Sequence, residues 1–240
     1  EPELLLQYEF REAGNYMAIL LAMAGGRTTL GALCQETGLD RGMVSKYLSV
    51  LTRLRIVTDE VPVTAHSGYR RRHYRLSDPY LSFWFRFVYP GRAEIETGHG
   101  QAVAESIREQ FPLYCGEMFE VLCRELVRAG ILFPGESFSR IGRWWQGEEE
   151  IDLVGLDEST GRALFVECKW TSLTPTKARG IMSDLQRKSR SVRWREDDRN
   201  ERFCVIARHI DGKEELGDAG SCFLDLEDIS RQSEMWRQNR

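Results

Sequence analysis

Apolar positions recur at a helical period through residues 8–24, where Tyr16, Ile19, Leu20 and Met23 share one face. Gly25 and Gly26 end that run. The stretch "TLGALCQET" predicts a short second helix, capped by Thr28 or Thr29 and stopping at Gly38, a good position for a left-handed terminus. Asp40 then opens a third helix, "RGMVSKYLSVLTRLR". Its inner stripe is Val44, Tyr47 or Leu48, Leu51 and Leu54, which leaves Arg41, Ser45, Lys46, Ser49 and Arg53 on the outer face. Two strand-like runs follow, "IVTDEVPVT" and "HYRLS", on either side of a basic, glycine-containing tip, "HSGYRRR". A helix, a short helix, a tight turn, a longer helix and a two-stranded wing form the plan of a winged helix-turn-helix, over residues 8–78.

The pattern changes after residue 78. "DPYLSFWFRFVYP" is dense in aromatic residues and reads as a buried packing helix, with a platform for stacking bases as the alternative. Pro90-Gly91 marks a boundary, and residues 91–104 show little periodicity. A helix is expected over 105–129, with Ile107, Phe111, Tyr114, Met118, Leu122 and Leu126 inward, Pro112 kinking or splitting it, and Gly130 closing it. Strand-like runs then alternate with turns: "ESFSRIGRWW", "EEIDLVGL" and "RALFVECKW", the last two joined by "DESTG". A helix over about 174–190, the strands "RFCVIAR" and "SCFLDL", and a helix over 227–238 complete the chain. This mixture implies an α/β domain with a mixed sheet. The expected organisation is a mostly-α winged-helix domain (1–90), a connector (91–104) and an α/β domain (105–240).

Composition changes this picture little, but charge distribution matters. The 240 residues carry a formal net charge of −4, which argues weakly against a general nucleic-acid binder. The average conceals a split. Residues 41–75 hold eight Arg or Lys against two acids, Asp59 and Glu60, and a second basic cluster lies at Arg187, Lys188, Arg190, Arg193 and Arg195. A basic helix face with a basic wing is a nucleic-acid footprint, and DNA is the expected partner. A winged helix used only for protein packing is the competing reading. The six cysteines are scattered with no CxxC pair, as buried reduced thiols of a cytoplasmic protein would be, and the four histidines have no metal-ligand spacing. No run of ~18 apolar residues occurs, so no membrane-spanning helix is expected.

The candidate chemistry lies in "EIDLVGLDESTGRALFVECKW". Ionisable groups among apolar strand residues need a partner or a metal. If the hairpin turns symmetrically at "DESTG", Asp152 faces Glu167, and alternation puts Glu167 and Lys169 on one face. Two carboxylates about 5 Å apart repel by ~3 kcal/mol at an effective dielectric near ~20. A hard divalent cation would reverse that sign, since Mg²⁺ takes oxygen ligands and needs one or two carboxylates. Lys169 would offset one charge, or orient a water. From these residues alone, a metal site and a Lys–Glu–Asp ion network stand level.

"EID" followed by "ECK", each on a strand after a Glu-bearing helix, resembles the PD-(D/E)xK nuclease core, also called restriction-endonuclease-like. The resemblance implies that Asp152 and Glu167 bind Mg²⁺ or Mn²⁺, that Lys169 assists the attacking water, and that the helical acid falls on Glu120, with Glu117 as competitor. On the helix that follows, Gln186 and Lys188 could approach phosphate, with a solvated basic face as the competing reading. Over nearly the whole chain, "VSKYLSVLTRLRIV", "RRRHYRLSDPYLSFWFRFVYP", "YCGEMFE", "IGRWW", "EIDLVGL" and "ECKW" are similar to the C-terminal part of archaeal-type ATPases. In that family an ATPase domain precedes a winged helix and a nuclease-like domain of unknown function. No GxxxxGK[ST] loop is present, so no ATP hydrolysis is expected of this chain, and an ATPase domain would act with it in cis or in trans. The resemblance implies a Mg²⁺-dependent DNA-cleaving module, and the basic helix face and wing make Arg41, Ser45, Lys46, Arg53, Arg70, Arg71 and Arg72 its expected DNA contacts. The alternatives are a non-catalytic DNA-binding or regulatory module, and a protein-interaction scaffold using residues 80–89 and Trp144-Trp145.

Overall fold

The computed structural model describes residues 13–217 and 220–239, in two compact units. The first comprises 13–61 and Gly68–Phe111, the second Pro62–Ser67 and 112–239. Residues 8–12 of the expected first helix lie outside the described residues. Among the described residues no helix is long and apolar enough to cross a membrane.

The first unit opens with α1 (Ala13–Ala24), which buries Tyr16, Ile19, Leu20 and Met23 as its spacing requires. Helix α2 (Leu30–Thr37) is capped by Thr29, whose hydroxyl accepts the Ala32 N–H, and ends at Gly38 with φ +69°. Asp40 caps α3 (Arg41–Arg53) by accepting the N–H groups of Gly42 and Met43. Val44, Tyr47, Leu48 and Leu51 are buried, and Arg41, Ser45, Lys46, Ser49 and Arg53 are exposed, but Leu54 is half exposed. Leu54 is the C-cap, so the helical stripe ends before reaching it. Strands β1 (Val57–Glu60) and β2 (His73–Leu76) pair antiparallel, and a bridge from Thr29 to His73 ties them to the start of α2.

The aromatic segment forms α4 (Pro79–Phe83), capped by Asp78, and runs on as a π-helical turn, Trp84–Val88. Phe85 and Phe87 are buried while Tyr80 is exposed. The stretch expected to be a connector holds α5 (Arg92–Glu96) and the start of α6 (Gly100–Arg128), which runs unbroken through Pro112. From Tyr114 onward α6 buries Phe119, Cys123 and Val127, whereas Phe111 and Leu122, expected inward, are exposed.

The second unit is built on a five-stranded mixed sheet in the order β3–β4–β5–β6–β7. The strands are β3 (Arg140–Gln146), β4 (Glu149–Asp157), β5 (Arg162–Leu173), β6 (Asn200–Ile210) and β7 (Ser221–Leu224). The first three form an antiparallel meander, and β6 and β7 add parallel to β5. Helix α7 (Pro175–Ser189) is the crossover from β5 to β6, and α8 (Leu226–Gln238) follows β7. One face packs Val154, Phe165 and Val205 against Ala178, Met182 and Leu185 of α7. The other packs Leu153, Leu164, Val166 and Ile206 against Phe119, Cys123 and Val127 of α6 and Ile229 of α8. Trp144, a candidate contact surface by sequence, lies within the first of these cores.

The turn between β4 and β5 is held by Asp157. Its carboxylate accepts the N–H and hydroxyl of Ser159 and the hydroxyl of Thr160, which hold its pKa down at about 2, and Gly161 closes the turn with φ +71°. Two strand positions away, Gly155 sits under the Phe138 ring. A Cβ there would stand 2.9 Å from the ring carbon Cγ. Gly155→Ala is therefore expected to lower stability by roughly 1–3 kcal/mol, as overpacking of a closed core does. A urea midpoint equal to wild type would show that Phe138 yields freely.

Candidate functional site

The β4–β5 ladder has the symmetric alignment the sequence implies, from Asp157↔Arg162 through Val154↔Phe165 to Leu153↔Val166. One step further Asp152 would oppose Glu167, but there the pairing ends. On the opposite side, Val154 pairs with Gly142 and Ile151 with Trp144, so Leu153 and Asp152 together face Arg143 in a β-bulge. The bulge re-aims Asp152: its Oδ2 accepts the backbone N–H of Cys168 at 2.8 Å. The carboxylate is thereby fixed on the backbone between Glu167 and Lys169.

Asp152 and Glu167 are buried, at 4% and 7% exposure. Lys169 Nζ lies 2.8 Å from Glu167 Oε1 and 3.8 Å from Asp152 Oδ2. Lys188, from α7, places its Nζ 3.5 Å from the same Glu167 oxygen and 3.2 Å from Asp184 Oδ2. Glu167 Oε2 is buried without a hydrogen-bond partner among the described residues. Burial, and then the Asp152 charge, push the Glu167 carboxyl above its ordinary range. Glu120, on α6, is pushed up to about 8 by burial first and by Asp152 next, with Arg124 and Lys169 pulling the other way. Burial disfavours the Lys169 charge, yet Asp152 and Glu167 together raise its pKa. Glu120, Asp152, Glu167, Lys169 and Lys188 thus form one electrostatic unit across α6, β4, β5 and α7.

This donor set fits a hard divalent cation. Among the described residues no group of three or more His, Cys, Asp or Glu side chains is arranged to hold a metal. Mg²⁺ needs only one or two carboxylates and completes its shell with water. The unpartnered Glu167 Oε2 is an oxygen that such an ion would satisfy.

Three residues of the site carried no sequence signal of their own. Asp184, Lys177 and Gly180 of α7 line a cavity of about 350 Å³ together with Glu167 and Lys169. The Asp184–Lys188 spacing marks an i,i+4 pair, but its approach to Glu167 depends on the crossover. The second basic cluster is largely neutralised: Arg187 pairs with Glu149 and Asp184, Arg193 with Glu196, and Arg195 with Glu158.

On the first unit, Arg41, Ser45, Lys46 and Arg53 lie exposed along α3, and Arg70, Arg71 and Arg72 are exposed before β2. The two acids among them are paired, Asp59 with Arg72 and Glu60 with Arg75 at 3.4 Å. Their repulsion toward a polyanion is correspondingly offset, and Arg72 is less available than Arg70 and Arg71.

Residues 84–181 match the DUF234 family model, described as "Archaea bacterial proteins of unknown function". The chain is also similar to "Uncharacterized protein MJECL04" of Methanocaldococcus jannaschii, at 34% identity over 234 residues. That alignment covers 96% of this chain and 51% of the relative, so the chain spans about half the length of the relative it matches.

Proposed function

We propose that this chain is a DNA-binding module whose α/β unit carries a Mg²⁺- or Mn²⁺-dependent centre for cleaving or processing DNA phosphodiesters. The reading includes a winged helix in the first unit, a PD-(D/E)xK-like core in the second, and an ATPase domain as partner in cis or in trans. The observation that carries it is the buried pair Asp152 and Glu167, with Lys169 against both and an unpartnered carboxylate oxygen, on the hairpin the motif requires. The order of α6, the β3–β5 meander, α7 and parallel β6 agrees with that core.

In this reading Asp152 and Glu167 would hold the ion, with the Cys168 carbonyl as a further oxygen. A bound divalent ion supplies polarisation of the phosphoryl oxygen and a lowered pKa for a coordinated water. Lys169 Nζ orients the nucleophile, and Lys188 and Lys177 offset charge on the phosphates. Glu120, whose carboxyl pKa is pushed up to about 8 by burial and by Asp152, is placed to donate a proton as a general acid. The test is calorimetric titration with Mn²⁺, followed by incubation with single- and double-stranded DNA in Mg²⁺ or in EDTA. Metal binding with ion-dependent strand cleavage is expected. No binding at millimolar ion and no cleavage of any substrate would overturn the nuclease reading.

One observation favours a non-catalytic DNA-binding or regulatory role. Lys169 lies against both carboxylates and Lys188 against Glu167, so their charges are offset without a metal. DNA binding is common to both readings, through α3 in a major groove and the arginine tip on phosphate. Binding is expected to weaken steeply with salt. Replacing Arg70 and Arg71 by Ala is expected to reduce the log–log salt slope by about 0.9 for each phosphate that is no longer neutralised. Adding Arg72→Ala is expected to change it less, because Arg72 is held by Asp59. A triple variant that binds like wild type at every salt concentration would remove the wing from the interface.

A further inference from the structure

Cys204 on β6 and Cys222 on β7 are register partners in neighbouring parallel strands. Partnered positions share a face, and adjacent strands run about 4.8 Å apart. That spacing lies inside the Cα separation of roughly 4.4–6.8 Å that a disulfide spans. Cys204 belongs to the apolar cluster on that face of the sheet, and Cys222 packs against it.

The two sulfurs differ in surroundings. Cys204 is fully buried, while Cys222 is partly exposed. The positive charge of Arg202, which reaches solvent and pairs with Glu136, acts on Cys222. The neighbouring Cys204 thiol and the Arg202 charge favour the Cys222 thiolate, whereas burial pushes the Cys204 thiol up. The chain contains an internal contrast. Cys123 and Cys168 share the same cluster, but both are buried. Reactivity follows thiolate character and access, so the two pairs are expected to behave differently.

We propose that Cys204 and Cys222 form an oxidisable dithiol, a modification site for hydrogen peroxide in which Cys222 is oxidised first and Cys204 closes the disulfide. The Cys222 thiolate attacks the peroxide: an S–O bond forms, the O–O bond breaks and hydroxide leaves, giving a sulfenic acid. Cys204 Sγ then attacks Cys222 Sγ: the S–S bond forms, the S–O bond breaks, and the hydroxyl leaves with the Cys204 proton as water. Two thiols lose two electrons, and the peroxide is reduced to water. The crosslink joins the outermost strand of the sheet covalently to its neighbour. The site is independent of the carboxylate centre, so either can fail without the other.

The experiment is peptide mapping of the folded wild-type chain after hydrogen peroxide treatment, with circular dichroism confirming that it stays folded. A 204–222 crosslinked peptide, lighter by about 2 Da than the sum of its reduced parts and restored by dithiothreitol, is expected, with Cys123 and Cys168 still reduced. In Cys204→Ser, dimedone is expected to trap a sulfenic acid at Cys222; in Cys222→Ser, Cys204 stays unlabelled. A folded, peroxide-treated wild type lacking the crosslink overturns the proposal, whatever the variants do. Dimedone trapping at Cys204 in folded Cys222→Ser overturns the assigned order.

Discussion

Asp152→Asn is expected to abolish divalent-ion binding and any ion-dependent cleavage while leaving the metal-free protein as stable as wild type or more so. The amide oxygen of Asn can still accept the Cys168 N–H that Asp152 accepts at 2.8 Å, so the local backbone keeps its bond. What disappears is a negative charge that raises the pKa of both Glu120 and Glu167. A purely structural network predicts the reverse. Lys169, more than a third exposed, would lose one of its two carboxylate partners, a loss that lowers stability by less than the ~3–5 kcal/mol of a fully buried pair. The two outcomes differ in sign, so melting in EDTA and a Mn²⁺ titration of the same preparations separate them. A lowered metal-free melting temperature, with no ion binding by wild type at millimolar concentration, would sink the nuclease reading and leave the regulatory one.

The second large effect is a pH dependence set by Glu120. Its pKa rises from an ordinary carboxylate value to about 8 in the folded chain, so the folded state binds the extra proton between those values. The stability this contributes is complete below about pH 4.5 and is lost as pH rises to about 8, above which the curve flattens. A tenfold change in proton affinity corresponds to about 1.4 kcal/mol, so the decline is on the order of a few kcal/mol. Glu167, raised in the same direction, adds to it. Glu120→Gln is expected to remove most of this slope and to be more stable than wild type near pH 8 in EDTA. Urea midpoints measured from pH 5 to pH 9 test it. A variant that retains the full wild-type slope would show that the proton resides elsewhere.

Legibility from sequence followed how local each determinant is. Thr29, Gly38 and Asp40 act on their own helix ends, and each acts where expected. The hairpin alignment was readable because a symmetric turn and a period of two leave one register that buries Leu153, Val154, Phe165 and Val166. Periodicity failed where a helix outlasts a single environment. Leu54 continues the stripe of α3 but lies past its last turn, and α6 crosses the boundary between the units, so no stripe extrapolated from Phe111 finds Phe119, Cys123 and Val127. In the site, Asp152, Glu167 and Lys169 were visible as charges out of place in apolar strands. For Lys188 the sequence leans to a solvated basic face over phosphate contact; the crossover of α7 brings it to Glu167. The bulge opposite Arg143 had no signature, because it depends on how β3 lies against β4. Nor did Asp184, Lys177 or Gly180, which meet the carboxylates only through the course of α7.

The caged turn at 157–161 works as a reading frame for the carboxylates. Asp157 and Gly161 set its length, and strand alternation translates that length into which way Glu167 and Lys169 point. A one-residue change there that is taken up by the pairing and not by the loop would turn every side chain of one strand to the other face, exchanging Glu167 and Lys169 for Val166 and Cys168. A change of two residues would lengthen or shorten the loop and keep the phase. Relatives that preserve these groups should therefore keep the pairing from Asp157↔Arg162 to Leu153↔Val166 and take up any length change inside the loop, which could be checked from the strands alone.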